Sequence, residues 1–468
     1  MVAASRVLYG VLLLTACGGS SPGGAGGGSG GAGGAGGSGG VAPRQWGRQL
    51  VQASAGLTGV AIAGDGTVDV VYAGSVGGEH GIVWQQIGGA TELVSVAGTV
   101  DSRPAVGRDA SGRVHVVWGT TMPNEVRYAV RDAAAGWTVE TISTERFKPD
   151  LAVSTDGTPH VAFVDTATTN AMAYHAVRGA SGWQITAVHA TNRITESQVG
   201  IALDANGVPI IAAPDGDQIG VWVAQANGTA GWTVEDLAGD RPVSGPLALA
   251  AAAAGVAVAF KDQTSTVVAW RPAGAAAWSI ENASHHDSSI GPLDVVVTPS
   301  GPMVVSDVDI QYPNGQALLE RIGTGWIGQL ICGGVCYDSA LAVAVDPAGQ
   351  PAIALLCNRA LYYMTVVGHY PADWPQRCAA AAKELCSRAC TCASNGSECS
   401  WGLNGSSTDS SSLGCPMNAQ DSVCGDPTIS PTALQQCRDQ LPSLTCDASG
   451  PLDLSGACGP LYDPFASP

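Results

Sequence analysis

A turn glycine recurs seven times along this chain, at Gly66, Gly112, Gly157, Gly207, Gly255, Gly301 and Gly349. The successive intervals are 46, 45, 50, 48, 46 and 48 residues. Each glycine stands in a short turn such as Ser154-Thr155-Asp156-Gly157 or Asp204-Ala205-Asn206-Gly207. Strand-like runs flank it, as Leu151-Ala152-Val153 and His160-Val161-Ala162-Phe163 do. Turn residues between alternating apolar runs make hairpins. A second marker keeps the same phase: a Trp, mostly after Gly, that opens a later strand at Trp46, Trp137, Trp183, Trp232, Trp278 and Trp326. Trp46 and Trp137 lie two periods apart, with Thr91 at the position between them.

A period of 40–50 residues holding four short strands is the sequence mark of a propeller blade, and the runs lack the 3.6 periodicity of helical repeats. The fold class is therefore mainly β: a seven-bladed β-propeller over residues 44–370, followed by a small disulfide-rich, partly helical C-terminal domain over 371–468. The last unit offers three strands before the proline-containing stretch Tyr370-Pro371-Ala372-Asp373-Trp374-Pro375, which is poor strand material. The segment Trp46–Val51 is left over at the other end, and as the outer strand of the seventh blade it would close the ring. A C-terminal fourth strand near Trp374, 48 residues after Trp326, is the alternative.

Ahead of the repeats, residues 1–16 read as a signal peptide, with Arg6 followed by the apolar run Val7–Leu14. The run is too short to span a membrane. Leu14-Thr15-Ala16-Cys17 resembles the lipobox of bacterial lipoproteins, which implies acylation of Cys17 as the first mature residue. Residues 17–43 then form the lipidated Cys and a flexible tether rich in Gly, Ser and Ala, whose composition cannot bury enough surface to offset ordering. Its 23-residue core, Gly18–Gly40, has an r.m.s. span of roughly 26 Å. The same resemblance, with Gly18 rather than Asp after the Cys, implies sorting to the outer membrane, with the body periplasmic or at the cell surface. Anchorage falls to the lipid, because 39 acidic residues against 21 basic ones give a net charge of −18. That balance opposes a broad grip on nucleic acid or on anionic lipid.

In a propeller the connections from second to third strand, and from outer strand to the next inner strand, share one face where ligands usually bind. On that face a carboxylate recurs at Asp165, Asp215, Asp262 and Asp309, with Asp217 and Asp307 nearby. The inter-blade connections add Arg103, Arg146, Lys148, Arg193, Arg241, His285 and His286. One reading is a polar funnel for a carbohydrate or cation, with neighbouring carboxylates able to work as acid and base. The other is that each Asp caps its own turn. His115 and His160 share one repeat position and read as packing residues; the Trp series reads as packing between blades rather than as sugar platforms.

Stretches such as Asp109-Ala110-Ser111-Gly112-Arg113-Val114-His115-Val116-Val117-Trp118 resemble the bacterial sialidase-like, Asp-box-style propellers. The resemblance covers some 320 residues and is one of repeat style, since no repeat completes Ser-x-Asp-x-Gly-x-x-Trp. It implies kinship of fold with sialidases, polysaccharide lyases and lectins, and fixes no reaction. Arg103, Arg146 and Arg193 could be assembled into a carboxylate clamp, but none sits in a diagnostic local motif. No phosphate loop, His-Glu-x-x-His helix or Gly-x-Ser-x-Gly elbow occurs.

Ten of the 14 Cys fall in the tail, at Cys378, Cys386, Cys390, Cys392, Cys399, Cys415, Cys424, Cys437, Cys446 and Cys458. In an exported chain an even number of Cys in a small segment reads as five disulfides of undetermined connectivity, with zinc the alternative, although the segment has no His. Cys332 and Cys336 form a further candidate pair, and Cys357 stands where other blades carry the repeated Asp. The tether, propeller and Cys-rich tail, with 18 Arg and three Lys, resemble exported lipoproteins of high-GC bacteria such as the myxobacteria. The expected function is a lipid-anchored, non-catalytic platform for a glycan or protein partner, without a cofactor or metal. The rival is a carbohydrate-active enzyme, a glycosidase or polysaccharide lyase, using the carboxylates of the ligand face.

Overall fold

The computed structural model describes residues 44–369, apart from the connections 53–59, 97–102, 166–169, 193–198, 216–219, 285–290, 309–314 and 334–339 and some shorter gaps. The signal peptide, Cys17, the tether, Arg146, Arg193, Asp309, His285, His286, Cys336 and the whole Cys-rich tail lie outside the described residues.

Seven four-stranded antiparallel sheets make seven blades. Blades 1 to 6 run in chain order over 60–96, 105–144, 147–192, 200–236, 247–282 and 293–333. In each, four successive strands go from the inner strand to the outer one. The seventh takes its first three strands from Ala340–Val345, Pro351–Cys357 and Ala360–His369, and its outer strand from Arg44–Gln52 at the other end of the described chain. That outer strand pairs antiparallel with Ala360–His369, setting Trp46 opposite Val366. The N-terminal segment thus ties the ring shut, and the fourth-strand place considered for the Trp374 region is already filled.

The chemistry of the repeat explains the blades. Gly112, Gly157, Gly207 and Gly349 hold φ between 77° and 85° at the first hairpin, a left-handed conformation that a side chain resists. A carbonyl three residues earlier closes each turn, as when Asp109 and Asp204 receive the backbone N–H of Gly112 and Gly207 on their carbonyls, both at 2.9 Å. The second and third strands are apolar on both faces because each blade is sandwiched between two others, and so they read as near-continuous Val, Ala and Ile. The core is accordingly a ring of clusters, one per junction. Val71, Trp84 and Trp118 pack between blades 1 and 2; Ala162, Ile201 and Trp222 pack between blades 3 and 4.

The phased Trp residues pack between blades, as their sequence position suggests, and most do so through a shared latch. A Glu on the outer strand of one blade accepts the indole N–H of the next blade's Trp and pairs with an Arg of that blade. Glu92 takes Trp137 Nε1 at 2.9 Å and Arg131 at 2.6 and 2.9 Å. Glu140 takes Trp183 and Arg178 in the same way, Glu235 takes Trp278 and Arg271, and Glu281 takes Trp326 and Arg321. Arg131 and Arg271 also stack over Trp84 and Trp278. Between blades 6 and 7 the closing strand substitutes its own pair, Arg44 with Glu320 at 2.7 Å, and Gln329 holds the Arg44 backbone.

Candidate functional site

The inner strands end on the ligand face at the propeller axis, and two of them carry a carboxylate there. Asp150 pairs with Ala162, and Asp294 pairs with Val305, at the same rung of their blades. The equivalent rungs of blades 2, 4, 5 and 7 hold Ala105, Gly200, Ala248 and Ala342. Each Asp reaches the next blade: Asp150 Oδ2 accepts Ile201 N–H at 2.9 Å, and Asp294 Oδ2 accepts Val343 N–H at 2.9 Å. The two carboxylates are therefore clasps between neighbouring inner strands, at a rung where four other blades carry Ala or Gly.

Arg103, one of the arginines singled out from sequence, lies just ahead of the inner strand of blade 2 (Ala105–Arg108). Its guanidinium reaches blade 6, which is not a neighbour, and therefore crosses the axis. It donates to Asp294 Oδ2 at 2.8 Å and to the Leu293 carbonyl at 3.2 Å. Both charged side chains remain about one-fifth exposed. Asp294 thereby has a cation in contact, whereas Asp150 takes its hydrogen bond from a backbone N–H. Burial pushes the Asp150 carboxyl up to about 6; backbone N–H groups of Ile201 and Leu151 and the charge of Arg103 act the other way, and Asp294 adds to the rise. Asp150 keeps partial exposure at the axis even though protein atoms crowd it on most sides.

The strand leading to Asp150 is irregular. In Phe147–Val153 the ladder to Pro159–Asp165 slips between Phe147 and Asp150, and Lys148 adopts φ 56° immediately before Pro149. A lysine in the left-handed region is strained, and bulges of this kind re-aim a strand beside functional sites. Lys148, half-buried, stands two residues before Asp150 in this irregular strand.

Farther out on the same face, Asp262 Oδ1 accepts the backbone N–H of Thr264 at 2.8 Å and of Ser265 at 2.7 Å, which is a turn cap. Its Oδ2 lies 3.9 Å from Arg241, whose guanidinium bonds Asn282 at 3.1 Å. Asp165 is half-buried at the end of Pro159–Asp165, and Asp215 is exposed just after Pro209–Pro214. In blade 6 the strand register puts Val308 level with Asp165, three residues beyond Val305 as Asp165 is three beyond Ala162. Asp307 is instead held in a buried knot. Its carbonyl accepts Lys261 Nζ at 2.6 Å, its carboxylate accepts Gln316 Nε2 at 2.7 Å, and Gly291 lies so close that a Cβ there would strike its side chain. Lys261 itself is fully buried. Cys332 pairs with Gln316, and Cys357 pairs with Ala360, in the backbone ladders.

His115 and His160 are packing residues. His115 Nδ1 bonds Tyr128 Oη at 2.6 Å and its Nε2 meets Asp109 at 3.2 Å. His160 Nδ1 meets His175 Nε2 at 3.1 Å, with the two rings stacked. Among the described residues no three His, Cys, Asp or Glu side chains converge as metal ligands.

The sequence reading found Arg103 and Arg241 but passed over Asp150 and Asp294. Their signal was a departure from the repeat: a charged residue at a rung where four other blades have Ala or Gly. The latch had its own signal, a Glu three residues after the Trp at Trp137, Trp232 and Trp278.

No protein-family model matches the chain. No curated protein matches it either. Solved structures with a similar chain path include the polysaccharide lyase Uly1, at 9% identity and TM-score 0.46, over 69% of this chain and 99% of that one. The Aleuria aurantia lectin aligns at 11% identity and TM-score 0.40, over 59% and 95%. A Hadza microbial sialidase aligns at 11% identity and TM-score 0.38, over 63% and 73%. At such identities and scores these are likenesses of chain path, and nothing about ligand or reaction follows from them.

Proposed function

We propose that this chain is an exported, lipid-anchored protein whose propeller offers its ligand face, centred on the axial mouth, to a glycan or protein partner without chemically altering it. The observation that carries this reading is the Arg103–Asp294 pair. The best-placed arginine of the face is already spent on a carboxylate and a carbonyl of the opposite blade, so it fixes the mouth rather than clamping a substrate. Asp262 supports the same reading, because its carboxylate serves its own turn. Fixed polar groups on a rigid scaffold suit recognition. Attachment through Cys17 at the outer membrane belongs to this proposal and rests on Leu14-Thr15-Ala16-Cys17.

A second reading, a carbohydrate-active enzyme, is favoured by one observation: burial holds the Asp150 carboxyl near 6, within the range of a general acid. One experiment separates the two. A soluble form lacking residues 1–40 is applied to a glycan array and, in parallel, incubated with the bound glycans and assayed for released sugar. Binding without product is expected. Product formation that disappears in Asp150→Asn would replace the platform with the enzyme.

A further inference from the structure

The junction between blades 3 and 4 differs from its neighbours. Between blades 2 and 3, His115 bonds Tyr128, Tyr128 packs edge-on against Trp183 at 5.1 Å, and Trp183 is held by the Glu140–Arg178 latch. One blade later every member of that set is changed except the first His and the Trp. His160 bonds His175, which pairs with Ala162 as Tyr128 pairs with Val117. His175 lies edge-on to Trp232 at 5.4 Å. The place of Glu140 is taken by Thr186, paired with His175 as Glu140 is with Tyr128, and the place of Arg178 by Ala226, paired with Trp232 as Arg178 is with Trp183. Trp232 therefore has neither latch partner, and the ring it meets across the junction is an imidazole.

We propose that this junction is an acid-sensitive seam, at which protonation of the His160–His175 pair releases the outer part of blade 3 from Trp232 while the latched junctions hold. The 3.1 Å contact needs one imidazole nitrogen as donor and the other as acceptor. A proton on the acceptor abolishes the bond, and a second charge on the stacked ring is opposed by the first. The remaining groups facing the pair do little to offset this. Asp156, in the turn between Phe147–Val153 and Pro159–Asp165, favours a charged His160 but stands in solvent, capping its own turn through Thr158. Thr186 and Trp232 carry no charge, and the attraction of an indole ring for a cation is weaker than what burial withholds. Burial, then the neighbouring His160, lowers His175 from 6.5 to about 4, and burial lowers His160.

The inner end of the same junction responds in the opposite sense. Asp150, with Arg103 and Asp294 around it, takes up its proton readily because it is buried, and its other role as acceptor for Ile201 N–H does not need the charge. Acid thus loosens the outer end and leaves the axial clasp, so that the seam hinges outward from the axis. The inference is independent of what the ligand face binds.

The test is hydrogen exchange of the full propeller, read by mass spectrometry between pH 7 and pH 5 and corrected for intrinsic exchange. If His175 moves from 6.5 when exposed to about 4 when packed, opening of its strand at pH 5 rises about 20- to 30-fold over pH 7. Peptides from Asn170–Gly179 and Trp232–Asp236 should show that rise, and those from Thr266–Pro272 and Ser279–Asn282, strands of a latched blade that hold no His, should not. His175→Tyr, which installs the residue of the preceding blade, should abolish the selective rise. The paired change Thr186→Glu and Ala226→Arg, which grafts the missing latch, should reduce it several-fold and guards against a folding defect in the first variant. Uniform loss of protection at all junctions, or an unchanged rise in His175→Tyr and in the grafted latch, overturns the seam.

Discussion

Arg103 and Asp294 belong to blades that do not touch, yet their side chains meet at 2.8 Å across the propeller axis. A contact between opposite inner strands constrains all the blades between them, which a contact between neighbours does not. Asp294 also accepts Val343 N–H, so its position decides the seat of blade 7 as well. Arg103→Ala leaves a partly buried carboxylate without its cation, and the expected cost is about 1–3 kcal/mol in urea unfolding. Arg103→Lys should recover less than half, because a lysine cannot serve both the carboxylate and the Leu293 carbonyl in one plane. A double-mutant cycle with Asp294→Asn should return a coupling of about 1–2 kcal/mol; additive effects would show that the bridge contributes nothing.

The latch makes a separate prediction. Glu281 accepts Trp326 Nε1 and two bonds from Arg321, and the Arg321 bond foremost draws its carboxyl below the usual range. A depressed carboxylate gives stability that is present above its ordinary value of 4.5 and lost as pH falls below it. Glu281→Gln should cost about 0.5–1.5 kcal/mol at neutral pH, the range of a partly exposed charge-assisted pair. It should also shift the Trp326 emission to the red. The difference between variant and parent should shrink below pH 4; a difference that does not depend on pH would mean that the charge is irrelevant to the latch.

Much of the ring was legible because the repeat sets the same turn glycine seven times and the phased Trp six times. Gly112, Gly157 and Gly207 hold the left-handed φ that their turn sequences demand, and Arg44–Gln52 closes the last blade where the leftover Trp46 strand pointed. The axial mouth was not legible for the converse reason. Asp150 and Asp294 are exceptions to the repeat, and a search for recurring carboxylates at Asp165, Asp215 and Asp262 looks past single departures. Which blades meet across the axis is also invisible in sequence: Arg103 and Asp294 are 191 residues apart. The missing latch between blades 3 and 4 shows the same logic, since Thr186 and Ala226 are unremarkable until Glu140 and Arg178 define what stands in their places.

Membrane attachment depends on one side chain. Cys17→Ser removes the thiol that Leu14-Thr15-Ala16-Cys17 presents for acylation. The expected outcome is loss of radiolabelled fatty acid from the protein and accumulation of an unprocessed or soluble form. Undiminished lipid labelling would dissolve the lipoprotein assignment.

Asp262 tests whether the ligand face uses its acids. Asn at that position can accept the same N–H groups of Thr264 and Ser265, so Asp262→Asn should change stability by no more than about 1 kcal/mol. Any glycan identified on the array should bind the variant with unchanged affinity if the carboxylate serves only its turn. A tenfold or greater loss of affinity with an unchanged melting temperature would place Asp262, with Arg241 3.9 Å away, among the ligand contacts.

The Asp150 carboxyl links the axial mouth to pH with a defined sign. Burial raises it from 3.8 to about 6, so between these values the folded protein keeps a proton that the unfolded chain has released. Stability from this group is therefore full below about pH 4, falls as pH rises through the window, and is lost above about pH 6. A shift of that size corresponds to about 3 kcal/mol at most, and to less where the partial exposure at the axis admits water. Asp150→Asn keeps an acceptor for Ile201 N–H and removes the charge. The variant should match the parent near pH 4 and exceed it by about 1–3 kcal/mol at pH 7 in chemical denaturation. Combining it with Arg103→Ala should enlarge the gain, because Arg103 is the cation that eases the Asp150 charge. A constant difference across pH 4 to 7, or a variant less stable at pH 7, would mean that Asp150 is held ionised by its surroundings, and the axial mouth would then carry a fixed negative charge.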